Sequence, residues 1–294
     1  MNMKPKRINY DDRFMCVIKE KPKTYVRSFN EDYRLRSLVR MVNLKEGKAL
    51  DVGCGGGIAT ESFPYYFPKL TFYGCDVSRT AISYARKYGS GNIQYAQIKN
   101  KKLQYKDNTF DLCICNDVLE HVPDVDSLLD EVKRVLKRGG VCFLTIPCEG
   151  QPGTFTWFLT KIHIAADLTY RNFGHIHPEF THKNVLKLLE DHGFVIDKVA
   201  YGEHIFSQLL HLLIFHIPKW LVELFVGEKK IMEYSESGLL TSPKINNDRI
   251  RTIQMFWSNV IRFVIMYPIY WETVVLRKLP ATAWKLQVLV HKRK

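Results

Sequence analysis

The stretch ALDVGCGGG, residues 49–57, decides the fold. An apolar run ends at the acid Asp51 and the following Val52, and Gly53, Gly55 and Gly57 then alternate with other residues ahead of a segment of helical character. A backbone that turns sharply after a buried strand and approaches a ligand closely needs residues without a Cβ. A nicotinamide dinucleotide fingerprint wants its third glycine at position 58, three places after the second, and Ile58 stands there. The spacing favours a different cofactor.

Outward from this loop the pattern alternates between short apolar runs and helical periodicities. Strands are expected at Ala49 to Val52, Leu70 to Cys75, Ile93 to Gln97, Phe110 to Cys115, Val141 to Ile146, Phe194 to Tyr201 and Trp284 to Val290. In the last of these, Lys285 and Gln287 alternate with apolar neighbours. Helices are expected at about 30 to 42, 57 to 66, 78 to 88, 124 to 138 and 181 to 192, the last capped by Thr181 and stopped by Gly193. Runs such as LCIC and VCFLTI are apolar on consecutive positions, which places helices on both faces of the sheet. The fold class is thus α/β, a doubly wound, mostly parallel seven-stranded sheet with a helical insertion before the last strand. The chain divides into a basic arm (1–28), a core (29–202), an apolar insertion (203–280), and a final strand with a basic tail (281–294).

Ligands of such sheets sit beyond the carboxyl ends of the strands. The residues there are Asp51 to Gly57, Asp76, Ile98 to Asn100, Asn116 to His121 and Pro147 to Gly150. Asp76 closes the second strand in YGCD, and a carboxylate there can accept hydrogen bonds from both hydroxyls of a ribose. Capping of the helix that begins near Ser78 is the alternative use of the same acid.

With the glycine loop, the acid after the second strand and the run NTFDLCICNDVLEHVPDVDSLLDEVKRVLKRGGVCFLTIP on view, the sequence resembles the class I methyltransferases. The resemblance is to the small-molecule branch with D-x-G-x-G-x-G and an E-H pair after the fourth strand, as in ubiquinone-pathway O-methyltransferases, and covers about residues 30–202 plus the final strand. It implies a Rossmann-like methyltransferase fold and S-adenosylmethionine as cofactor. Asp51, Gly53, Gly55 and Gly57 would hold its methionine part, Asp76 its ribose, and Ile98 and Asn116 would line the site. Relatives usually carry an Asp after the third strand that touches the adenine amino group. Lys99 stands there instead, which leaves adenine to a main-chain group near Ile98 or to Asn100.

A sulfonium methyl is already electrophilic, so a base is needed only if the acceptor must lose a proton. The candidates are His175 and His177 in NFGHIHPEFT, between the fifth strand and the next helix, with Glu149 and His163 behind them. Asp117, Glu120 and His121 form D-x-x-E-H. In some ubiquinone-pathway O-methyltransferases a similar set looks able to bind a divalent ion near a catechol; with no additional ligand evident in this sequence, it is assigned to orienting the loop after the fourth strand and no metal is expected.

The net charge of +13 calls for an anionic partner, and the absence of helix-turn-helix, zinc-finger or RNA-recognition signatures makes nucleic acid an unlikely one. In the insertion, IFSQLLHLLIFHIPKWLVELFVG and RTIQMFWSNVIRFVIMYPIYWETVVLRKL are too interrupted to span a bilayer. With Trp220, Trp257 and Trp271 beside basic residues, they suit helices in the interface of an anionic membrane, a lid or a dimer surface. The seven cysteines lack framework spacing, as reduced thiols in the cytosol would. The expected function is methyl transfer to a small-molecule, lipid or glycan-linked hydroxyl, in the cytoplasm or at the inner face of its membrane. A cofactor-binding relative without turnover and an RNA methyltransferase are the competing readings.

Overall fold

The computed structural model describes residues 33–161, 174–211 and 267–293. Seven strands form one sheet: β1 (Gly47–Val52), β2 (Leu70–Asp76), β3 (Gln94–Gln97), β4 (Phe110–Asn116), β5 (Leu136–Pro147), β6 (Phe194–Gly202) and β7 (Lys285–Lys292). Their spatial order is β3-β2-β1-β4-β5-β7-β6, with β7 antiparallel to both neighbours and the other pairings parallel. The order reverses between β1 and β4, and a crevice for a ligand opens at such a switch point.

The consecutive apolar runs are explained by two cores on opposite faces. Leu50, Val52, Cys113, Cys115 and Leu144 face one core, where α4 (Val125–Val135) and α6 (His182–Asp191) add Leu129, Val132, Val185 and Leu189. Ala49, Phe72, Leu112, Ile114 and Phe143 face the other, against Leu35 and Leu38 of α1 (Tyr33–Met41) and Ile82 and Ala85 of α3 (Arg79–Tyr88). Alternate side chains of a strand point to opposite faces, so each strand feeds both cores. Helix starts are fixed by side chains: Ser78 accepts from the Ala81 amide, Asp124 from Ser127 and Thr181 from Asn184.

Two expected helices are shorter than their periodicity suggests. The segment 57–66 becomes a 3₁₀ turn at Thr60–Ser62 followed by the single-turn α2 (Phe63–Tyr66). Gly57 at φ +77° is not helical, and Pro64, without an N–H, sits in the first turn of α2 instead of continuing a helix. The helix expected to reach 138 ends at Val135, because Leu136 pairs with Phe110 as the start of β5 and Gly139 takes φ +72°. Lys285 and Gln287 do not line an exposed face, since both are buried.

The insertion begins with α7 (Ile205–His211) and ends with α8 (Tyr267–Leu276). Glu272 ties the two together by accepting from the Phe206 and Ser207 amides and the Ser207 hydroxyl. The remaining helix, α5 (Phe155–Lys161), follows β5. The basic arm 1–28, His163, and insertion residues 212–266 with Trp220 and Trp257 lie outside the described residues. Six cysteines are described, all free thiols.

A partly buried ion cluster, with Lys285 buried, pins the returning strand to the parallel sheet. Asp117, just beyond β4, accepts from Arg34 (2.8 Å), from Lys285 at the start of β7 (2.9 Å) and from the Thr145 hydroxyl (2.9 Å). Burial alone would raise the Asp117 pKa, but Lys285 and Arg34 outweigh it and hold the carboxyl well below the usual range. Burial likewise works against the Lys285 charge, yet Asp117 and then Glu203 leave its pKa raised. Removing one partner strands a buried charge, at a cost of about 3–5 kcal/mol. Asp117→Asn should therefore lower the unfolding free energy by about 3 kcal/mol, measured by urea denaturation, and adding Lys285→Met should recover much of that loss. Equal losses that simply add would contradict the pairing.

Candidate active site

The glycine loop is shaped by its own backbone. Gly53, Gly55 and Gly57 all take positive φ, at +75°, +52° and +77°. A Cβ on Gly53 would lie 2.6 Å from Val118 Cγ2, and one on Gly57 2.6 Å from the Tyr95 hydroxyl, so packing as well as φ excludes side chains there. A Cβ on Gly55 would meet nothing within 4 Å, which places that glycine at the rim of open space. The Gly53 and Cys54 amides bond the Cys75 carbonyl (2.8 and 3.0 Å), tying the loop to the tip of β2.

Two carboxylates hold this loop. Asp51 is buried and accepts from the Thr60 hydroxyl at 2.6 Å. Burial pushes its pKa up to about 7, against the Thr60 hydrogen bond and aided by the nearby Asp76 charge. Asp76 accepts from the Gly55 amide (2.9 Å) and the Ser78 amide (2.8 Å). The acid thus steadies the approach to α3 and holds the glycine loop. Each carboxylate oxygen has more than one lone pair, so an Asp76 engaged by amides can also accept from hydroxyls.

Beyond β3, the Ile98 amide donates to the Asp76 carbonyl (2.8 Å) and is committed to the sheet. The Lys99 carbonyl accepts from the Lys102 amide (2.9 Å) in a tight turn, with Asn100 at φ +52°. The Ile98 N–H is therefore engaged within the sheet. Asn116 closes β4, half-buried, between the loop and Thr145.

A second polar group gathers around the 3₁₀ turn Leu119–His121, which follows Val118 directly. The Glu120 carbonyl accepts from the Ile176 amide (2.9 Å), so the segment carrying His175 lies across the tip of β4. His175 is buried, and its Nδ1 lies 2.5 Å from Glu149 Oε1. The other Glu149 oxygen accepts from the Trp284 indole at 3.1 Å. His121 Nδ1 meets the Gly174 carbonyl at 3.1 Å, and the two histidine rings are 5.1 Å apart. Glu120 is buried with neither carboxylate oxygen hydrogen-bonded. Burial, and after it the Asp117 charge, raise its pKa well above the usual range.

His177 is placed differently. Its Nδ1 pairs with Glu179 (2.8 Å), its Nε2 with the Val122 carbonyl (2.9 Å), and its ring stacks on Phe180. Both nitrogens are thus occupied in holding the segment down. The sequence brought forward His175, Glu149, Glu120 and His121 without their mutual contacts. It missed Trp284, Lys285 and Arg34, for which the only signals are a Trp-Lys pair opening an apolar strand and a basic residue on an apolar helix.

Residues 50–144 match the family model described as a methyltransferase domain. Residues 50–144 are thus similar to a methyltransferase domain. A ubiquinone biosynthesis O-methyltransferase of Pasteurella multocida is 37% identical to it over 126 residues, covering 38% of this chain and 51% of that one. A sterol 24-C-methyltransferase of Gibberella zeae is 32% identical over 140 residues, covering 46% of this chain and 34% of that one. The chain spans about half the length of the first curated relatives it matches. In fold, the domain and its flanks are similar to phosphoethanolamine N-methyltransferase 2 of Haemonchus contortus, at TM-score 0.53 and 16% identity, over 98% of this chain and 60% of that one. The family match runs from within β1 to within β5, and the insertion falls outside it.

If the methyltransferase domain binds a nucleoside through Asp76, Asp76→Ala should weaken binding of S-adenosylhomocysteine at least about tenfold by calorimetry, in keeping with loss of hydrogen bonds to a charged group. The fold should survive by circular dichroism, and unchanged affinity would remove Asp76 from the site.

Proposed function

We propose that this chain is an S-adenosylmethionine-dependent methyltransferase acting on a hydroxyl of a small-molecule, lipid-like or glycan-linked acceptor. The observation that carries the reading is the direct contact between the two halves of the site. Gly53 of the glycine loop packs on Val118, and two residues further on Glu120 and His121 open the histidine and carboxylate cluster. The loop also suits the cofactor: Gly55 faces open space, and Asp76, which accepts from its amide, would accept from the two hydroxyls of a ribose.

When bound, the cofactor supplies an electrophilic methyl group on a sulfonium. Asp76 would hold its sugar, and the Gly53–Gly57 backbone would accommodate the amino-acid tail where side chains do not fit. Asp51 would keep that loop in place through Thr60. At the acceptor end, Glu149 orients His175, and a proton kept on Nδ1 leaves the ring lone pair on Nε2. That lone pair is what activates the acceptor hydroxyl, and His177 fixes the segment that carries it. A lipid-like acceptor is supported by the ubiquinone and sterol names of the relatives, and oxygen by the more similar of the two.

Helices α5, α7 and α8 also expose apolar surface. Phe158, Ile205, Phe206, Trp271 and Val275, from α5, α7 and α8, are exposed. Among the described residues no helix is long and apolar enough to cross a membrane. Exposed aromatics on an insertion in a chain of net charge +13 suit the surface of an anionic bilayer, at the cytoplasmic face.

Incubated with methyl-labelled cofactor and a fractionated cell extract, the protein should label a fraction that partitions into organic solvent. His175→Ala should reduce the rate by about 10²–10⁴-fold, the range of a lost acid–base group, and His177→Ala far less. Intact S-adenosylhomocysteine binding with no labelled fraction would favour the relative without turnover. Cosedimentation with phosphatidylserine vesicles should fall when Phe206 and Trp271 are both changed to Ser. Undiminished cosedimentation would remove this surface from membrane contact.

A further inference from the structure

A pocket of about 270 Å³ lies between α1, β6, β7 and the end of the insertion. Arg36 and Arg40 of α1, Lys198 of β6, and Arg277 and Lys278 just past α8 line it, and among its described lining residues there is no Asp or Glu. None of those residues belongs to the glycine loop or to the cluster around His175. We propose that this pocket binds the phosphate group of an anionic ligand, either a soluble phosphate ester or the headgroup of a phospholipid.

Cations alone mark only a charged surface. The pocket adds two buried polar groups that such a surface does not need. Gln287 is 1% exposed and Thr273 is 7% exposed, and neither Gln287 Nε2 nor Thr273 Oγ1 has a hydrogen-bond partner. The Gln287 side chain is fixed from its other end, where Oε1 accepts from the Ser37 hydroxyl of α1 at 2.5 Å. Its amide nitrogen therefore remains a donor on a residue that lines the pocket, and the Thr273 hydroxyl can donate as well. A buried donor left without an acceptor is costly and calls for a partner.

Donors and cations with no carboxylate among them select a ligand that is negative and accepts only. A phosphate ester offers several acceptor oxygens, and a guanidinium meets them through paired N–H donors. The volume lies just below the roughly 300–1,000 Å³ of small-molecule sites, which suits a phosphate and the few atoms esterified to it. The framework around it is tied together: Lys198 donates to the Met41 carbonyl (2.8 Å), and the Tyr201 amide donates to the Arg277 carbonyl (2.9 Å). An anion held among Arg36, Lys198 and Arg277 would clamp the end of the insertion to α1 and to the edge strand β6. Helix α8 also exposes Trp271 and Val275, the apolar surface that a phospholipid source would use. Part of the net charge of +13 thereby gains a ligand.

The test uses the full chain in chloride buffer of constant ionic strength, titrated by calorimetry with inorganic phosphate and with glycerol 3-phosphate. Wild type should bind one equivalent of at least one of them. Arg40→Gln combined with Arg277→Gln, both at exposed positions, should weaken that binding at least about tenfold, as loss of hydrogen bonds to a charged group does. Thr273→Val should also weaken it, yet leave the unfolding transition without phosphate unchanged, because the hydroxyl it removes is buried without a partner. Lys45→Gln combined with Lys69→Gln removes the same charge from exposed positions elsewhere and should bind as wild type does. Cosedimentation with phosphatidic acid vesicles, with and without competing inorganic phosphate, separates the two sources. Competition by phosphate, together with loss in the Arg40 and Arg277 variant, assigns the pocket to a headgroup. Saturable binding in solution without such competition assigns it to a soluble ester. No saturable binding in either arm, or an equal loss in the Lys45 and Lys69 variant, would overturn the proposal.

Discussion

The half-buried Asp117 carboxylate sits at the junction of three parts of the chain: the tip of β4, helix α1 through Arg34, and the first residue of β7 through Lys285. Its residue adopts φ +53°, a conformation disfavoured for side chains other than Gly, Asn and Asp. The amide is held by the Thr145 carbonyl and the carboxylate by the Thr145 hydroxyl. Desolvating both Asp117 and Lys285 is costly, and the cost is recovered only while all the partners are in place. The reversal of the chain at Asp117, the return of β7 after the insertion and the position of α1 are therefore fixed together.

From that constraint the site follows. The reversal at Asp117 sends Val118 against Gly53 and turns Glu120 inward, so the glycine loop and the histidine cluster share one wall. The same junction places Trp284, next to Lys285, where its indole reaches Glu149 and through it orients His175. A residue just before β7, near the far end of the chain, thereby bears on the His175 ring. The cofactor side is set more locally: Asp51, Thr60 and Asp76 act on a loop whose glycines admit no side chains at Gly53 and Gly57.

The nucleotide half of this arrangement is legible in the sequence because its causes are local. Glycines at alternate positions after a buried strand, an acid ending the next strand and consecutive apolar runs each report a backbone or burial requirement at their own position. The cluster is legible only in part. Glu120, His121, His175 and Glu149 stand out as residue types, but their contacts depend on how the segment around His175 folds over β4. Lys285 looked like one of the polar positions of an alternating strand, since its partners Asp117 and Glu203 lie 168 and 82 residues before it. The two shortened helices have the same origin, because strand pairing at Leu136 and the geometry of the glycine loop override helical periodicity.

A crystal structure of the protein with S-adenosylhomocysteine addresses the central claim most directly. The ribose hydroxyls should lie within hydrogen-bonding distance of Asp76, with the homocysteine tail along Gly53 to Gly57 and the sulfur directed toward the space before His175. A ligand bound elsewhere, or a crevice at the β1 and β4 tips filled by side chains of the protein itself, would contradict it.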